Sequence, residues 1–116
     1  MPNPVVHFEI IGKDRQLLES FCRGLFDWQC QEAMPGYSLV QTGSGMGGGI
    51  GVNADTPSHV TFHMQSSDLK AKLAAAESKG GTRCFGPHTL PDGVIIGGFF
   101  DPEQPMIGLI QPAPGM

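Results

Sequence analysis

Two segments of the chain follow one pattern: Val6-His7-Phe8-Glu9-Ile10 with Asp14 and a helical run behind it, and Val60-Thr61-Phe62-His63-Met64 with Asp68 and a helical run behind it. The two lie 54 residues apart, and each continues from its helix into a glycine-rich set of short strands. In a chain of 116 residues neither half can bury a core alone, so the halves are expected to pair and share one cleft. The repeat predicts a single domain over residues 1–116, with half-domains at about 4–52 and 58–111.

Val5 to Ile11 alternates, with His7 and Glu9 on one side and Val6, Phe8 and Ile10 on the other, as a strand does. Behind the N-cap Asp14, Leu17, Leu18, Phe21, Cys22 and Leu25 recur at helical spacing, which predicts an amphipathic helix over 13–26 with that side on a sheet. Phe8, Phe21 and Phe62 are expected in the core. Strands are expected at 28–32 and 37–42 around the Met34-Pro35-Gly36 turn, and at about 48–52. In the second half the spacing predicts a strand at 59–65 and a helix over 68–79 capped by Ser67 and stopped at Gly80-Gly81. Strands follow at 83–85, 93–100 and 106–111, with a loop at 86–91 and a fraying tail at 112–116. The fold class is therefore α+β, strand-helix-three strands taken twice.

Forty per cent hydrophobic against sixteen per cent charged residues is enough for a globular core. The net charge is −4 and the seven Lys and Arg are scattered, so no nucleic-acid partner is expected. No apolar run approaches the roughly 18 to 20 residues that cross a bilayer, so no membrane role is expected either. Three cysteines at no metal-ligand spacing, and an N-terminus without a basic and then apolar leader, point to the cytoplasm. The run at 43–51 lacks the lysine and following helix of a phosphate loop, and is read as close backbone approach that leaves volume for a ligand.

The double βαβββ order, the opening Val5-Val6-His7-Phe8-Glu9-Ile10, the Gly80-Gly81 helix stop and the closing Phe100-Asp101-Pro102-Glu103 with Ile107-Gly108-Leu109-Ile110-Gln111 resemble the vicinal oxygen chelate superfamily. Its members include glyoxalase I, the bleomycin-resistance proteins and extradiol dioxygenases. The resemblance implies two partial barrels, a homodimer, and a divalent metal held by residues of the first and fourth strand of each half. His7 matches the first ligand position, but the fourth-strand positions fall at Gly51 and Gly108, which have no side chain to offer. The remaining position is Thr61, or His59 if the strand slips by two residues.

Two surviving ligands make a poor metal site, since catalytic sites use about three. The chain is therefore expected to keep the fold, hold no cofactor, and bind a small organic molecule in a cleft walled by His7, Glu9, Gly51, Thr61, His63 and Gly108. No catalytic residue is assigned. Glu9 and His63 are equivalent under the repeat and can pair as carboxylate and imidazole, structurally or for proton transfer. The alternative is a metal-dependent lyase, isomerase or dioxygenase, with Zn, Fe, Ni or Mn on a relocated site of His7, Glu9, His59 and His63.

Overall fold

An alternating strand and a capping aspartate set the first two elements. In the computed structural model, which describes residues 2–114, β1 (Val5–Gly12) leads into α1 (Arg15–Phe26). The Asp14 carboxylate accepts the Leu17 amide hydrogen at 3.1 Å, and Asp27, left-handed at φ 58°, ends the helix. β2 (Gln29–Met34) and β3 (Tyr37–Gln41) form a hairpin, and β4 (Gly48–Val52) follows. The strands are ordered β2-β3-β4-β1, with β1 and β4 parallel and the other pairs antiparallel.

The second half repeats this plan. β5 (His59–Gln65), α2 (Leu69–Ser78), β6 (Thr82–Thr89), β7 (Ile95–Phe100) and β8 (Met106–Gln111) give the order β5-β8-β7-β6, again with the first and last strands parallel. Residues 6–61 form one compact unit, and residues 2–5 with 62–114 form the other. Each has its own core. In the first, Cys22, Val40 and Ile50 are buried, with Phe8, Ile10, Leu18, Trp28 and Cys30 packed on them; in the second, Leu69, Leu73 and Leu109 are buried, with Met64, Ile95 and Phe99 around them.

Four expectations are corrected. Asp68 rather than Ser67 caps α2, its carboxylate accepting the Ala71 amide hydrogen at 3.1 Å. The stretch expected as a loop at 86–91 is mostly strand: β6 runs to Thr89, because its register shifts between Phe85 and His88 and it is an edge strand, where a bulge tolerates Pro87. Ala113 in the expected fraying tail is buried and lies close to Gly93, while residues 115 and 116 fall outside the described residues.

The fourth concerns α1. The inward side carries Glu19 and Cys22, whereas Leu17, Phe21 and Leu25 are exposed, as is Phe62 on β5. Glu19 is held on the inward side because β3 offers it a partner. The Ser38 hydroxyl donates to its carboxylate at 2.8 Å, and Arg15 and Arg23 pair with it at 3.1 and 3.2 Å. A carboxylate so surrounded tolerates burial that a lone one would not.

Candidate functional site

In β1 and β4 the residues alternate between two faces. Phe8 and Ile10 pack toward the cluster containing Cys22 of α1, and Phe8 covers Gly48: a Cβ there would lie 2.6 Å from its ring. His7 and Glu9 therefore look the other way, with Gly49 paired to Glu9 and Gly51 to Ile11. That opposite face is where the sequence places a ligand.

Tyr37 occupies it. Its ring crosses from β3 over Gly49 and Gly51, so that a Cβ on Gly49 would meet the hydroxyl and one on Gly51 would lie 2.9 Å from Cδ2. The hydroxyl donates to Glu9 Oε2 at 2.9 Å and stands 2.9 Å from His7 Nε2. A phenol has one hydrogen and a carboxylate only accepts, so with that hydrogen given to Glu9, His7 must donate through Nε2. The three side chains form one directed row: imidazole N–H to phenol, phenol O–H to carboxylate. Burial first, and the neighbouring Glu9 charge second, push the Tyr37 phenol far above its ordinary value of about 10, which keeps it a donor.

The second unit has a related feature. His63 of β5 pairs in register with Gly108 of β8, and a Cβ on Gly108 would lie 2.5 Å from the His63 Nε2. Since Glu9 pairs with Gly49, the counterpart of Gly108 is Gly49, two residues before the Gly51 that the resemblance implies. The volume expected above these glycines is filled by the protein's own rings. His63 is buried, and burial lowers its pKa, favouring neutral imidazole.

The remaining candidates are placed as follows. Thr61 is buried on β5 in the first unit. His59 is part-exposed at the start of β5, and its Nδ1 donates to the Pro57 carbonyl at 2.8 Å. Cys22 and Cys30 carry thiols pushed up by burial, the opposite of what a nucleophile needs. Trp28 stacks against Phe8 and Phe26 at 5.4 and 4.9 Å. Tyr37 is not among the residues that the sequence places in the cleft. Its position opposite Gly51, directly after the hairpin turn, was the signal.

The fit of a metal can be judged from the donors. With a hydrogen on Nε2, His7 has no lone pair there to give, and among the described residues no three His, Cys, Asp or Glu are grouped as a metal requires. The donors as arranged do not fit a resident cation.

No family model and no curated protein sequence matches the chain. Solved structures do. The Mycobacterium tuberculosis methylmalonyl-CoA epimerase is 17% identical, with a TM-score of 0.71 over 95% of this chain and 88% of that one. Streptomyces coelicolor methylmalonyl-CoA epimerase in complex with 2-nitronate-propionyl-CoA is 15% identical, with a TM-score of 0.67 over 100% and 98%. A glyoxalase/bleomycin resistance protein/dioxygenase superfamily member from Vibrio splendidus is 13% identical, with a TM-score of 0.67 over 96% and 100%. Such structures, matched over nearly the whole of this chain, give it the fold of the vicinal oxygen chelate superfamily.

Proposed function

We propose that this protein binds a small organic molecule against the face of the first unit that carries His7, Glu9 and Tyr37. The observation that carries this reading is the seating of Tyr37 over Gly49 and Gly51, which fixes phenol, imidazole and carboxylate in one row. Ile11 lies beside the same ring and Leu39, two residues along β3, is half exposed, so apolar contact adjoins the polar row. A few oriented polar groups beside apolar side chains is the usual make-up of an organic-ligand site. Gly51, beneath the Tyr37 ring, and Thr61 belong to the same unit and are further residues of this reading, while His63 and Gly108 make the corresponding face of the second unit. The complex of the Streptomyces epimerase with an acyl-CoA analogue supports an organic ligand on this fold.

The second reading is a metal-dependent lyase, isomerase or dioxygenase, with a divalent ion on the relocated His and Glu ligands that the sequence offers. The epimerase neighbours favour an enzyme on this fold, and the hydrogen on His7 Nε2 counts against a metal there. We also read the chain as a cytoplasmic homodimer; its free cysteines support a reducing compartment. No helix among the described residues is long and apolar enough to cross a membrane.

A melting screen against planar and hydrophobic compounds tests the binding reading, because a ligand bound only by the native state raises the midpoint with its concentration. At least one compound is expected to do so in the parent protein and to lose the effect in Tyr37→Phe. A screen without a concentration-dependent shift, or a shift that persists in both Tyr37→Phe and His7→Ala, overturns the reading.

A further inference from the structure

Helix α1 carries its polar network inward and its apolar stripe outward. Glu19 is 7% exposed and held by Ser38, Arg15 and Arg23, while Leu17, Phe21 and Leu25 are 67, 63 and 60% exposed. These three stand four residues apart on one side of the helix, the arrangement that a helix of a self-sufficient domain turns toward its core.

Together they leave on the order of 400 Å² of apolar surface, within the range of about 300 to 600 Å² at which a patch is often functional. That is about half of the roughly 800 Å² that each partner gives to a stable interface.

We propose that this stripe is the surface by which two copies of the chain associate, α1 against α1 about a twofold axis. The inference rests on the homodimer reading above and names its interface. The stripe has no charge within it, so a second copy of itself is a fitting complement, and a twofold contact uses the same patch on both sides. With positions i, i+4 and i+8 in antiparallel contact, Phe21 meets its own counterpart near the axis and Leu17 faces the partner's Leu25. An anionic membrane is the poorer occupant. It would be drawn by free cations flanking the stripe, and the helix's Arg15 and Arg23 are committed to Glu19 and Glu32.

Light scattering on the eluting protein tests this. The parent chain is expected at twice the monomer mass, and Phe21→Glu at half of that with unchanged circular dichroism. Should Phe21→Glu fail to fold, Phe21→Cys under mild oxidation is expected to give a covalent dimer on a non-reducing gel, at a level the parent's own cysteines do not reach. A monomeric parent chain overturns both the dimer reading and this interface. A parent dimer that survives Phe21→Glu overturns the interface alone, as does a Phe21→Cys chain that fails to cross-link, and sedimentation of the parent with anionic vesicles, lost in Phe21→Glu, assigns the stripe to a membrane instead.

Discussion

The Tyr37 hydroxyl stands where a side chain on Gly49 would begin. This placement lets the phenol reach from β3 across β4 to His7 and Glu9 on β1. Gly49→Ala puts a methyl group against that ring and is expected to destabilise the fold by about 1 to 3 kcal/mol, the usual cost of overpacking. Urea denaturation measures the loss, and the same variant should respond less to any compound that stabilises the parent chain.

Tyr37 is the only tyrosine in the chain, so tyrosinate absorbance reports it alone. Its folded pKa lies above the unfolded value of about 10. The folded state therefore keeps a proton that the unfolded state has given up, and stability that is complete below pH 10 falls as pH rises beyond it. The expected result is no tyrosinate near pH 10 in the native protein, followed by its appearance together with unfolding.

His63 gives the acid-side counterpart. Burial holds its folded pKa below the unfolded value of about 6.5, so its effect on stability is nil above that pH and unfavourable as pH falls through it, where the unfolded chain takes the proton first. His63→Phe keeps a ring beside Gly108 and removes the titration. Its melting midpoint should fall less than the parent's between pH 7 and pH 5.

The two acidic partners of Arg15 should differ sharply. Glu19 is buried and shared by Arg15, Arg23 and Ser38, so Glu19→Ala is expected to cost about 3 kcal/mol by leaving buried polar groups unpaired. The Glu32 side chain is 56% exposed, and Glu32→Ala should cost less than about 1 kcal/mol. Chemical denaturation of the two variants side by side checks the ratio.

The strands and helices were legible because alternation and helical spacing are local: β4, β5 and β8 fall at their expected bounds. What local pattern could not show was which partner a side chain would find. Leu17, Leu18, Phe21, Cys22 and Leu25 span a wide arc of α1, and the contact between Glu19 and Ser38, 19 residues on, decided which part of that arc turned inward. β6 was cut short because Gly86-Pro87 reads as a break, and only its edge position and bulge allow the strand to continue. In the candidate site, His7 and Glu9 were visible on one face, but the phenol between them comes from the hairpin, 28 residues from Glu9. The glycines were read as empty space, whereas long-range contacts fill them with Tyr37 and His63.

The metal content of protein purified without chelator, measured by mass spectrometry, bears most directly on the proposal that a phenol-centred polar row serves this chain in place of a chelated metal. The expected value is well below one equivalent per chain, unchanged in His7→Ala. About one equivalent of a divalent metal, lost in His7→Ala, would contradict the account and leave the metal-dependent enzyme as the better one.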